Sequence, residues 1–160
     1  MDDLMFRTET GRFLYRVAGV LIHDGRLLIM RDEKVPYYYL PGGKVRLHEG
    51  SEEAIKREIK EEIEAEVGIK RLLWVVENFF TEEVNQEPYH EIGLYYLLEL
   101  QDDSLLERGD EFVMTEQGKH RLSFSWKQLE EIKDVCLYPT FLKERITDLP
   151  ATIEHLVEYQ

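Results

Sequence analysis

The chain has 160 residues, 43% of them hydrophobic, enough apolar material for one domain of ordinary size with a real core. Its 33 acidic residues outnumber 20 basic ones, for a formal charge of −13. That balance argues against nucleic acid and against an anionic membrane surface as partners. An anionic substrate would need a mediating cation, most economically a divalent metal.

The first residues, Met1-Asp2-Asp3-Leu4, carry no apolar leader, and no apolar run approaches the ~18 residues of a membrane span, so a cytoplasmic location is expected. Residues 13–22 (FLYRVAGVLI) are β-rich and run into Asp24-Gly25, a turn dipeptide, before Leu27-Leu28-Ile29-Met30 resumes the apolar pattern. A hairpin is expected there. Tyr37-Tyr38-Tyr39-Leu40 leads into the break Pro41-Gly42-Gly43. Ser51 is the expected N-cap of a helix, with Glu52 and Glu53 suited to its first turn. Ala54, Ile55, Ile59 and Ile63 give it an apolar stripe, and it should end between Glu64 and Gly68.

Residues 72–80 and 92–100 read as strands around a polar turn at 81–88, and residues 102–120, charged and with two glycines, as a long loop. Residues 122–126 read as a short strand, 128–133 as a short helix and 139–146 as a longer helix with Pro139 near its start. The order implies an α/β protein with a mixed sheet covered by helices. Cys136, the sole cysteine, is flanked by Val135 and Leu137 and reads as a buried structural thiol.

Glu58, Glu61 and Glu62 stand at i, i+3 and i+4, on one face of the expected helix. Like charges so placed repel unless they are well solvated or share a cation. A solvated acidic helix is the plainer reading. A glycine turn upstream with basic neighbours Lys44 and Arg46 favours a mixed anion–metal site, because carboxylate oxygens are the hard ligands magnesium takes. Arg57 can pair with Glu61 at i+4. No Asp-rich loop with calcium-binding spacing is present.

Gly43, Glu49, Arg57, Glu58, Ile59, Glu61 and Glu62 match the spacing of the Nudix signature, and Leu40-Pro41-Gly42-Gly43 looks like its lead-in. The chain resembles that family over about residues 10–147, as a single domain within 1–160. The signature departs at Glu64, where the family has glycine, so the helix either runs on towards Gly68 or accepts a strained non-glycine turn.

The resemblance implies a Nudix-like α/β/α sandwich with a mixed β-sheet and a pyrophosphohydrolase that cleaves a phosphoanhydride with Mg2+ or Mn2+. It implies Glu58, Glu61 and Glu62 as metal ligands, Gly42 as a carbonyl ligand, Arg57 as their orienting residue and Glu49 as loop support or a further ligand. Glu116, with His120 nearby, and Glu91 are candidate bases or ligands; Arg31, Lys44 and Arg46 are candidate phosphate contacts. Glu77, inside an apolar strand, needs a partner, either an ion pair or a substrate. Tyr37, Tyr38, Tyr39, Phe79, Phe80 and Tyr89 offer surface for stacking a base. The family's downstream marks for ADP-ribose and dinucleoside polyphosphates are absent around Phe80-Thr81-Glu82-Glu83, which leaves nucleoside di- or triphosphates and nucleotide sugars as the small-molecule substrates. A Nudix-like regulator that binds nucleotide without turnover is the alternative function, and a homodimer is left open.

Overall fold

Along β2 (Gly11–His23) the apolar run is nearly continuous because both faces of the strand are covered. Val17 and Leu21 enter one core, Ala18 and Val20 the other. The computed structural model describes residues 2–116 and 118–160. Its other strands are β1 (Met5–Thr8), β3 (Arg26–Asp32), β4 (Gly42–Lys44), β5 (Val67–Thr81), β6 (Pro88–Leu100), β7 (Glu111–Glu116), β8 (His120–Gln128) and β9 (Glu154–Tyr159). The helices are α1 (Ser51–Ile63) and α2 (Phe141–Arg145). The strands form one mixed sheet in the order β7-β8-β3-β2-β6-β5-β9, with β1 and β4 also paired to β2.

The Asp24-Gly25 turn forms as expected, with φ of 50° and 71°, the primed geometry that suits a two-residue hairpin. Yet β3 pairs with β2 only at Ile22–Leu27 and His23–Arg26 before continuing alongside β8. β4 takes the vacated edge of β2, and Tyr39 bridges to Met30. This parting of β2 from β3 admits residues 39–44 to the centre of the sheet, next to α1.

Ala54, Ile55, Ile59 and Ile63 are fully buried and pack with Val17, Leu28, Met30 and Trp126. Each isoleucine buried this way contributes about 2–3 kcal/mol. The opposite face of the sheet is closed by Ile132, Phe141, Leu142 and Ile146 against Leu27, Ile29, Trp74 and Tyr95. Helices thus cover both faces, giving the α/β/α arrangement.

Several local expectations are corrected. The residue capping α1 is Gly50; Ser51 is its first residue, and its hydroxyl pairs with Tyr96 Oη at 2.6 Å. Of the two ends expected for α1, the strained non-glycine turn is the one found, and the helix does not run on to Gly68. It stops at Ile63, and Glu64 takes a left-handed conformation (φ 52°, ψ 39°) with its N–H on the Lys60 carbonyl at 3.0 Å. Buried Ala65 and Val67 demand that immediate reversal, at a cost of about 1 kcal/mol for a residue with a Cβ. Arg108 donates to the Ile63 carbonyl at 2.5 Å and satisfies part of the helix end.

Residues 102–120 are not a plain loop. They hold a short 3-10 turn at Leu106–Arg108 and strand β7, whose Phe112 stacks on Phe124 at 5.1 Å. The short helix expected over 128–133 is a 3-10 element at Leu129–Asp134 rather than α, and the helix expected over 139–146 is only Phe141–Arg145. Cys136 is exposed, because the extended segment there alternates and sends Leu137 inward instead. Among the described residues no helix is long and apolar enough to cross a membrane.

Candidate active site

Gly42 and Gly43 lie in β4 opposite Ala18 and Val17. A Cβ on Gly42 would run into the Val17 carbonyl, and one on Gly43 would overlap the Glu58 carboxylate. Gly42 therefore lets β4 close onto β2, and Gly43 lets α1 close onto β4. The Gly42 N–H donates to Glu62 Oε1 at 2.9 Å.

Glu62 is buried, with 6% of its surface exposed. Burial, and then the neighbouring charge of Glu58, push its carboxyl well above the usual range, against the pull of Arg16 and the Gly42 N–H. Glu58 is also raised by burial, partly offset by Arg57. Two carboxyls that resist ionisation side by side are a place where a cation would be stabilised. Their hard oxygens, with Glu61 one turn away, fit Mg2+ or Mn2+. Among the described residues no three acidic, histidine or cysteine side chains converge into a ready-made cage. Magnesium does not require one, since waters and substrate phosphates usually complete its octahedron.

Arg57 holds this face in place. Its Nε and Nη2 take both oxygens of Glu49 at 2.7 and 2.8 Å, Nη2 also donates to the Lys44 carbonyl at 3.0 Å, and Nη1 reaches Glu58 at 2.8 Å. The i+4 contact to Glu61 is the longest of the set at 3.3 Å. The Arg57 guanidinium draws Glu49 below the ordinary carboxylate range. Arg46 donates its N–H to Glu49 at 3.0 Å, and its guanidinium stands 3.6 Å from Glu61.

Beside this stretch from Gly43 to Glu62, the box, a cleft of about 450 Å³ opens between β2, the β5–β6 hairpin and the segment before β4. Arg16, Tyr37, Tyr39, Phe80, Tyr89 and Glu91 are among its walls. Arg16 ties the two regions together. It donates to the Leu40 carbonyl at 3.0 Å, stacks over Tyr39 at 5.7 Å, and interacts with both Glu91 and Glu62. Burial lowers the proton affinity of its guanidinium, but Glu91, Tyr95 and Glu62 more than restore it. Burial in turn raises the Tyr39 phenol to about 12.

The structure brings together Gly42, Glu49, Arg57, Glu58, Glu61, Glu62 and the Lys44 backbone. Glu116 ends β7 close enough for its charge to act on Glu62 and Tyr39. Glu91 is buried in β6, its carboxyl raised by burial against the pull of Arg16. His120 pairs with Asp32 at 3.5 Å. Arg31 instead stacks on Tyr38 at 5.7 Å, away from the cleft walls. Glu77 hydrogen-bonds His155 of β9 at 2.7 Å, so its partner is a side chain of the fold. Of the aromatics, Tyr37, Tyr39, Phe80 and Tyr89 face the cleft; Tyr38 and Phe79 do not. Arg16 escaped the sequence reading, although an arginine inside the apolar run FLYRVAGVLI signals a charge that must find buried partners.

The family model for the NUDIX domain matches residues 14–140. Among solved structures, a Nudix hydrolase from Nitrosomonas europaea is similar with a TM-score of 0.61 and 16% identity, covering 96% of this chain and 82% of that one. An ADP-ribose pyrophosphatase from Streptococcus suis gives 0.60 and 14%, covering 90% and 98%. A UDP-X diphosphatase gives 0.57 and 20% over 84% of this chain, which spans 59% of that protein. No curated protein matches the sequence. At these identities the structural likeness establishes the fold, and the family model extends over most of the sequence: the chain belongs to the Nudix family.

Proposed function

We propose that this chain is a metal-dependent pyrophosphohydrolase that cleaves a phosphoanhydride bond in nucleoside di- or triphosphates or nucleotide sugars. The observation that carries the reading is the pair Glu58 and Glu62 beside Gly42-Gly43, the first held by the Arg57 clamp and the second by the Gly42 N–H, opening beside an aromatic cleft. Glu58, Glu61, Glu62 and the Gly42 carbonyl are the groups that would hold Mg2+ or Mn2+. Bound there, the ion supplies neutralisation of phosphate charge and a water of lowered pKa.

The remaining work falls to side chains. Arg57, fixed by Glu49, keeps Glu58 in one rotamer. Arg46, whose guanidinium stands 3.6 Å from Glu61, and Lys44 are the candidates for contacting phosphate. Glu116 is the first candidate for taking the attacking water's proton, because it lies near Glu62 from a different element; Glu91, buried beside Arg16, is the second.

The test is incubation with Mg2+ and a panel of nucleoside triphosphates, diphosphates and nucleotide sugars, following phosphate, pyrophosphate and nucleoside monophosphate. Release that EDTA abolishes is expected. No release across the panel contradicts the hydrolase reading and favours a binding regulator.

A further inference from the structure

The cleft beside the box has an uneven chemistry. Arg16 is its only cationic wall among the described residues, and it sits at the inner end, coupled to Glu62. The outer walls carry Asp32, Glu82 and Glu83 and a set of aromatic rings. The charge of Arg16 is already met by Glu91 and Glu62, so an anionic group further out in the cleft would meet only carboxylates. The group that fills the outer cleft must therefore be uncharged, flat enough to lie among aromatic rings, and able to donate hydrogen bonds.

The outer polar groups are arranged as acceptors. Glu82 closes the hairpin turn by accepting the N–H groups of Val84 and Asn85 at 3.0 and 2.8 Å, and it receives the Tyr37 hydroxyl at 3.3 Å. Glu83 makes a single side-chain contact among the described residues, receiving the Tyr138 hydroxyl at 3.1 Å, so it retains acceptor capacity. Asn78 is 3% exposed and lines the cleft; its Oδ1 receives Gln160 Nε2 at 2.6 Å, which leaves its amide nitrogen as a donor. Asn78 and Phe80 share one face of β5 by the strand's two-residue period, and Glu82 follows just past the strand's end. The donor therefore lies deep, an aromatic face in the middle, and the carboxylates at the rim.

We propose that this cleft recognises the base of the substrate and selects bases with an exocyclic amino group, guanine, adenine and cytosine, over uracil and thymine. An exocyclic amino group offers two N–H donors to a carboxylate; uracil and thymine have none, and their single ring N–H lies between two carbonyl oxygens, which a carboxylate repels. Glu83 is the selecting residue and Phe80 the stacking surface. The inference rests on the hydrolase reading for its phosphate end only.

Two measurements test it. With Mg2+, kcat/KM for GTP, ATP and CTP should exceed that for UTP and dTTP by at least about tenfold, the scale of discrimination set by one polar contact. Glu83→Gln, at an exposed hairpin position, should reduce that preference to below about threefold while the melting curve is kept. In EDTA, equilibrium titration with the monophosphates should give the same order, independent of turnover. Equal affinities for GMP, AMP, CMP and UMP, or a UDP-sugar cleaved in preference to its GDP and ADP counterparts, overturn the proposal, as does an unchanged preference in Glu83→Gln. Selective binding without any turnover in Mg2+ would uphold the base site and refute the hydrolase reading alone.

Discussion

Nearly all of the acidic end of the site comes from residues 42–62, one strand and one helix joined by a short loop, whereas the cleft beside it is assembled from β2, β6, the β5 end and segments near Tyr37, Tyr138 and Gln160. In the first region, side chains are locked to each other: Arg57 alone engages Glu49, Glu58, Glu61 and the Lys44 carbonyl. In the second, rings and carboxylates from distant stretches meet around open space. The contrast assigns them different duties. A short, cross-braced segment holds charges in fixed positions for chemistry, and a composite surface can vary with the ligand it selects.

Variants at the two ends should therefore fail in different ways. Gly43→Val drives a side chain into the Glu58 carboxylate. Displacement of that group should lower kcat by about 100-fold. Arg57→Met removes the clamp and leaves Glu49 without its bidentate partner. Turnover should fall about 10- to 100-fold, and urea unfolding should report a loss of about 2 kcal/mol. Phe80→Ala belongs to the cleft, so KM should rise by about tenfold, the worth of one stacked base, with kcat little changed. A kcat loss as large as that of Gly43→Val would erase the distinction between the regions. The smallest effect is expected at Glu64→Gly, which relieves the left-handed residue ending α1 and should stabilise the chain by about 1 kcal/mol with activity unaltered. A destabilised variant would mean that the Glu64 side chain supports the turn.

The same contrast explains what could be read before the structure. The box is local, so one helical period and one glycine pair revealed its geometry: Glu58, Glu61 and Glu62 on one face, Gly43 beneath them. The tight Arg57–Glu49 pairing required knowing that the loop folds back over the helix, and spacing alone suggested Glu61 instead. Arg16 could be noticed as a charge in an apolar strand, but its partners Glu91 and Leu40 lie on other elements. Strand β7 was hidden because its alternation, EFVMTE, is short and flanked by charge and glycine. β9 has one face exposed at the sheet edge and lies beyond the last helix, where the pattern is weakest. The cleft-lining groups Asn78, Glu83 and Gln160 are ordinary polar residues in sequence, and only the fold gathers them.

The central claim is that the α1 carboxylates serve catalysis and cost the fold stability while they lack a cation. Glu62→Gln tests it most directly, because glutamine keeps the Gly42 N–H acceptor and removes only the buried charge. Turnover of the best nucleotide in Mg2+ should fall by at least about 100-fold, while the EDTA melting temperature stays the same or rises. Near-normal turnover in that variant would contradict the account.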